Sequence, residues 1–290
     1  MARIAILVDA PDWHTRRLTE AFAKAGVAAA VLSLQDCAFV LGEGGPGIAM
    51  PGFADTLPDA VLVRTIAAGT FEQVTLRLGL LHALARLGVP VINDARAIER
   101  CVDKSMTSFL LHQAGIATPP TLASESAAQA ERWRAGTAAE LVAKPLFGSQ
   151  GRGLMRLRPD EAAPAAEQYA GVHYLQRFVG RAAGWRDFRV MVVGGTPVAA
   201  MLRHGRSWVT NVRRGARCER VAATGQLAAQ SVAAAAAVGA DYAGVDLIED
   251  GDGKLLVLEV NSMPAWRGLQ SVASCDLAAQ IARHVLARLA

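Results

Sequence analysis

Two apolar runs, Gly244–Ile248 and Leu255–Val260, flank the turn-forming stretch Glu249-Asp250-Gly251-Asp252-Gly253. That pattern predicts an antiparallel hairpin, and it places Asp246 in the first strand and Glu259 and Asn261 in the second. Residues i and i+2 of a strand share a face, so Glu259 and Asn261 project together. Cross-strand pairing can set Asp246 beside them. Two carboxylates and an amide oxygen then crowd one face of an otherwise apolar hairpin. Neighbouring buried acids need a neutralising cation, and hard oxygen donors suit Mg²⁺, with Mn²⁺ as a substitute. A solvated polar face is the plainer reading. The apolar character of both strands favours the metal site, with Asp246, Glu259 and Asn261 as ligands.

The chain has 290 residues, of which 52% are hydrophobic and 19% charged, enough for two or three packed domains and far from a disordered composition. No apolar run has membrane-spanning length, so no membrane partner is expected. The first strand, Arg3–Val8, runs straight into Asp9 and leaves no place for a signal peptide, which predicts a cytoplasmic protein. The four cysteines form no CxxC pair and read as free thiols. A net charge of +4 does not argue for nucleic acid. His14, His112, His204 and His284 have no partner at ligand spacing and are assigned no metal.

Strand Arg3–Val8, helix Trp13–Ala25 and strand Val27–Leu34 open the chain as a βαβ unit, which predicts a parallel sheet. The Gly-rich segment Cys37–Pro51 reads as a surface loop. Strand Ala60–Ile66, helix Phe71–Leu87 closed by Gly88 and strand Pro90–Asn93 complete an α/β domain over 1–95. Two short helices follow, Asp94–Cys101 and Asp103–Ala114, then the stiff connector Thr118–Thr121 and a helix at Ser126–Arg134. Strands Glu140–Leu146 and Leu154–Leu157 bracket Phe147-Gly148-Ser149-Gln150-Gly151-Arg152-Gly153. Such a loop joins two strands and is no Walker loop, yet its backbone N–H groups can cover phosphates, with Lys144 just upstream. A flexible hairpin tip is the equal alternative. Strand His173–Val179 ends a second unit, 96–180. The third, 181–290, holds the meander Phe188–Leu202, the Ala-rich helix Thr224–Val238, the hairpin and the closing helix Asp276–Leu289.

The order of elements is distinctive. Asp103-Lys104 opens a helix, Lys144 precedes the glycine loop, and Gln176-Arg177-Phe178-Val179 follows. Then come Asp187-Phe188-Arg189, Thr210-Asn211-Val212-Arg213-Arg214-Gly215, Asp246 and Glu259-Val260-Asn261. From about Asn93 onward this set resembles the ATP-grasp superfamily, and within it the RimK-like α-L-glutamate ligases and the ligases that add glutamate to tetrahydromethanopterin and related cofactors. The resemblance implies an ATP-grasp fold, α+β in its C-terminal part, behind an N-terminal parallel-sheet pre-ATP-grasp domain.

It also implies roles. Lys104 and Lys144 would hold the α- and β-phosphates of ATP, and Gly148, Ser149, Gln150, Gly151 and Gly153 would close over them. Gln176, Arg177, Phe178 and Val179 would meet adenine through backbone hydrogen bonds and apolar contact, and Asp187 the ribose. Asp246, Glu259 and Asn261 would bind two Mg²⁺ ions. Arg203, Asn211, Arg213 and Arg214 would face the γ-phosphate and an acidic substrate, with Arg203 or Arg213 stabilising the acyl phosphate. The partners implied are ATP, L-glutamate or another amino acid as amine, and an acid-bearing cofactor precursor (a pterin or furan C1 carrier) or a peptide. A dimer or tetramer is implied as well. Three departures from the family pattern stand out: Arg177 where Glu is frequent, Val209 where Arg is frequent, and Met263-Pro264-Ala265-Trp266 after Ser262. The basic run Arg203–Arg220 suits an anionic substrate at Arg203, Arg213 and Arg214, and a solvated face at Arg217 and Arg220. The rival function is a nucleotide-binding regulatory protein with this fold and no ligation.

Overall fold

The structure, a computed structural model, describes residues 2–42, 45–54, 56–148, 151–180 and 184–289. The N-terminal sheet is built from β1 (Arg3–Leu7), β2 (Ala28–Leu32), β5 (Ala60–Val63) and β6 (Val91–Ile92), all parallel in the order β2-β1-β5-β6. Both faces are covered, which explains why β1 and β5 read as unbroken apolar runs. Helix α1 (Trp13–Lys24) packs Leu18 and Phe22 against Ile4, Ile6 and Leu62 on one face. Helix α2 (Phe71–Arg86) packs Leu80, Leu81 and Leu84 against Ala5, Leu7, Val61 and Val63 on the other. Asp12 and Thr70 start these helices as capping boxes with Thr15 and Gln73. Between β2 and β5 the expected surface loop contains a small antiparallel pair, β3 (Ala38–Phe39) with β4 (Ile48–Ala49), formed across its glycines.

Helices α3 (Ala95–Val102) and α4 (Lys104–Gln113) share Asp103, which ends the first and caps the second through Ser105 N and Met106 N. A four-stranded antiparallel sheet follows, ordered β7-β10-β8-β9 from β7 (Thr121–Ser124), β8 (Leu141–Ala143), β9 (Met155–Leu157) and β10 (His173–Arg177). Helix α5 (Ala127–Ala135) buries Ala130 against it. Strand β7 was not expected, because its residues sit behind two prolines.

The third sheet is antiparallel, ordered β13-β12-β11-β14-β15. Its strands are β11 (Arg186–Val193), β12 (Thr196–His204), β13 (Arg217–Val221), β14 (Tyr242–Glu249) and β15 (Leu255–Asn261). One face carries Val190, Val192, Ala243, Val245, Leu247 and Val257 against helix α6 (Gly225–Val238), whose buried side is mostly alanine. The opposite face is divided. At one end Met191, Val193, Tyr242 and Trp266 join α1 and helix α8 (Leu277–Ala287) in a core shared with the N-terminal sheet. Helix α7 (Arg267–Gln270) contributes Leu269 to that core. At the other end the same face turns charged. Asn93, fully buried after β6, ties the two parts together: its amide donates to the carbonyls of Tyr242 and Ser262, and its Oδ1 accepts from Tyr242 N. No helix is long and apolar enough to cross a membrane among the described residues.

Candidate active site

Strand register assembles the charged end. Asp246 pairs with Glu259 across the hairpin and Gly244 with Asn261, so the three proposed metal ligands share one face. The next strand inward places Arg189 opposite Asp246, and β12 places Arg203 opposite Asp187. The outcome is an alternating file of charges. Arg189 Nε and Nη2 bond both oxygens of Asp246 at 2.6 Å. Arg203 reaches Asp246 Oδ1 at 3.2 Å and grips both oxygens of Asp187. Asp187, Arg203 and Asp246 are 5%, 4% and 6% exposed, and only this mutual pairing makes their burial tolerable. Burial raises the Asp187 pKa despite Arg203, whereas Arg189 and Arg203 overcome burial at Asp246 and hold its pKa low. The guanidinium of Arg203 is desolvated too, but the two carboxylates keep it protonated.

Glu259 is different. It is half-buried, has no hydrogen bond or ion pair among the described residues, and lends negative potential to Lys104 and Lys144. Asn261 Nδ2 donates to Gly244 O at 3.2 Å, which leaves its Oδ1 for another partner. A carboxylate with both oxygens unspent, an amide oxygen and a second carboxylate beside them form a donor set that fits Mg²⁺.

Lys144 Nζ bonds Gln176 Oε1 at 2.6 Å, and Gln176 in turn donates to Thr121 Oγ1 at 3.0 Å. The Gln176 side chain is thus a buried support for a lysine. The N–H groups of Arg177 and Phe178 are also committed, to Pro120 O and Glu140 O, which removes them from the expected adenine edge. The Phe178 ring instead lies under Arg156, 4.0 Å from its guanidinium carbon, and meets Trp185 and Trp208 edge-on. Beside these rings a cavity of about 50 Å³ is lined by Val179, Trp185, Asp187, Trp208, Ile248 and Leu258. Of the four residues expected at adenine, Val179 is the one that lines it. Arg177 is exposed.

Lys104 Nζ holds the glycine loop by the carbonyls of Leu146 and Gly148, at 3.2 and 2.9 Å. From the other side Arg214 Nη2 donates to Gly151 O at 2.9 Å. Gly151 and Gly153 have φ of +67° and +68°, and a Cβ on them would stand 2.7 Å from Val209 Cγ1 and 2.8 Å from Pro145 Cγ. The loop is therefore seated on the segment that carries Val209, and only glycine permits so close an approach. Ser149 and Gln150 lie outside the described residues. Asn211 Oδ1 accepts from Arg213 N as the cap of a short turn. Arg213 is exposed. Trp266, at the end of the departure after Ser262, is 1% exposed and packs on Trp13 and His14.

Burial depresses the Lys144 pKa to about 8, with Lys104 adding to the fall and Glu259 opposing it. Two opposite slopes are expected. kcat/KM for ATP falls as pH rises through about 8, because the phosphate-binding charge is lost. Thermal stability rises between there and the ordinary lysine value of 10.5, because the unfolded chain still binds a proton that folded Lys144 has released. Rate and melting profiles for wild type and Lys144→Met check this. The rise in stability should vanish in the variant.

A family model described as the RimK-like ATP-grasp domain matches residues 101–285, and one described as the RimK PreATP-grasp domain matches residues 2–98. The chain belongs to the RimK-like ATP-grasp family. It is accordingly an ATP-dependent, carbon–nitrogen bond-forming ligase. A tetrahydromethanopterin:alpha-L-glutamate ligase of Methanococcus maripaludis is 37% identical over 68% of this chain and 70% of its own. One from Methanosarcina acetivorans is 30% identical over 93% and 94%. A "Probable alpha-L-glutamate ligase" of Thioalkalivibrio sulfidiphilus is 33% identical over 98% and 95%. The solved ATP-grasp ligase PsnB, complexed with a minimal precursor, superposes with a TM-score of 0.79 at 23% identity over 100% and 99% of the two chains, and so shares the RimK-like fold.

Proposed function

We propose that this ligase joins L-glutamate to an acid-bearing cofactor precursor of the pterin or furan type. The observation that carries the reading is the single face on which Asp246, Glu259 and Asn261 meet, with Lys104 and Lys144 beside it. The γ-phosphoryl of ATP passes to the acid's carboxylate, giving an acyl phosphate and ADP. The amine of glutamate then attacks the carbonyl carbon, phosphate departs with the bonding pair, and the nitrogen loses a proton to leave an amide. Asp246, Glu259 and Asn261 would hold Mg²⁺, as two ions, which supplies charge neutralisation of the phosphates. Lys104 and Lys144 hold the α- and β-phosphates as cations, and the glycine loop keeps water from the acyl phosphate. Asp187 lies on the nucleoside side, at the aromatic cavity. Arg203 fixes Asp246, while Arg213 and Arg214 face the acid. The identity of relatives named for a pterin cofactor, higher than that of peptide-complexed structures, supports the cofactor acceptor over a peptide. The reading extends to a cytoplasmic enzyme that acts as a dimer or tetramer, as the family resemblance implies.

The test is phosphate release from Mg-ATP with each amino acid against a panel of pterin, furan and peptide acids. Release requiring glutamate and one acid, with an amide product by mass, is expected. Tight ATP binding without release for any pair would replace this reading with a nucleotide-binding regulatory protein.

A further inference from the structure

Arg64, the residue after β5, is 4% exposed. A guanidinium this deeply buried is costly without a carboxylate, and Arg64 has none within ion-pair distance among the described residues. The one hydrogen bond of its guanidinium among the described residues is a long one, Nη1 to Tyr242 Oη at 3.4 Å, and its Nε is buried without a partner. Tyr242 does not need that bond, since its hydroxyl already donates to Val63 O at 2.8 Å. The neighbours do not neutralise Arg64 either. His14 spends Nδ1 on Asp12 and accepts the Trp266 N–H at its Nε2, and Arg267 adds a second positive charge close by. By contrast the buried Arg203 and the half-buried Arg189 are both paired with carboxylates.

Position gives the unspent charge a meaning. In the order β2-β1-β5-β6 the sense of the strand order reverses between β1 and β5, and the crevice beyond the carboxyl ends of such a pair is where open parallel sheets take ligands. Arg64 stands at that end of β5, opposite Asp9, whose N–H bonds Thr65 Oγ1 at 2.8 Å. The loop that follows is Ile66-Ala67-Ala68-Gly69, small-residued and pinned by Arg77 Nη1 to the carbonyls of Ala67 and Ala68. Tyr242 connects this crevice to the reaction face. Tyr242, Gly244 and Asp246 lie on one side of β14, a run of about 13 Å at roughly 3.3 Å per residue, with Pro264 packed over Gly244 at its middle.

We propose that Arg64 binds a carboxylate of the amino-acid substrate, so that the N-terminal sheet selects the amine donor while the ATP-grasp part performs the transfer. This rests on the ligase reading above. Its two prongs suit a carboxylate better than an ammonium would. The test compares wild type, Arg64→Met and Arg64→Lys, using L-glutamate, its α-amide (isoglutamine) and its γ-amide (glutamine) as amines. Wild type should prefer glutamate over one of the amides by about 100-fold in kcat/KM. Arg64→Met should raise KM for glutamate by about 100-fold, leave KM for ATP within about threefold and lose that preference, with Arg64→Lys between. Its melting temperature should hold or rise, because an uncompensated buried charge has been removed. Equal use of all three amines by the wild type would overturn the proposal without any variant. So would an unchanged glutamate KM in Arg64→Met. If the wild type turned over no amine at all, the ligase reading would fall by itself. Arg64 is then judged by the heat stabilisation that L-glutamate gives the full chain, which should be present in wild type and absent in Arg64→Met; equal stabilisation of both would reject it.

Discussion

Replacing Glu259 with alanine should lower kcat/KM for ligation by about 10³-fold or more while moving the melting temperature by no more than about 3 °C. The two halves of that expectation have one origin. Glu259 holds no hydrogen bond or ion pair among the described residues, so its loss leaves no partner stranded in the protein. Its oxygens are instead free for a cation, and its charge works on Lys104 and Lys144. Removing it takes away a raising influence on both lysines, so the remaining activity should fall at a lower pH than in wild type. Steady-state rates across pH, Mg²⁺ titration and calorimetric melting measure all three effects. Retained turnover with ordinary Mg²⁺ dependence would remove Glu259 from the metal site.

The hairpin that carries Glu259 was readable because its information is local. Two apolar runs and a turn fix the strands, period two fixes the face, and the pairing of Asp246 with Glu259 follows from hairpin register. Arg189 was not readable as a partner of Asp246. It lies 57 positions away, and nothing in one sequence says that β11 inserts between β12 and β14. The bond from Lys144 to Gln176 is unreadable for a related reason: the strand is legible, but which way its side chain turns is not. Arg217–Val221 read as a basic surface because it is an edge strand with exposed polar residues, which carries a weak strand signal. Arg64 escaped notice since an arginine that ends an apolar run looks like a strand reaching solvent. Only the packing of α1 and β14 around it shows the charge to be buried.

Arg203→Met should be the most destabilising single change in the file of charges, costing about 3–5 kcal/mol, or roughly 10 °C in melting temperature for a chain of this size. The methionine fills most of the volume. What it cannot do is neutralise Asp187, which Arg203 alone pairs with among the described residues. Asp246 keeps its two bonds to Arg189 and suffers less. The defect should therefore carry the signature of one carboxyl. Burial already raises the Asp187 pKa, and loss of Arg203 raises it further. A folded-state pKa above the unfolded one means that stability falls as pH rises through the interval between them, so the deficit should be large at neutral pH and shrink toward about pH 5. Adding Asp187→Leu removes the stranded charge and should restore most of the stability at neutral pH. That double variant separates fold from chemistry. Low turnover in a restabilised protein would show that Arg203 serves the reaction through Asp246. Full turnover would mean that Arg203 and Asp187 exist to hold the sheet, and that Arg189 suffices to set the metal-site carboxylate.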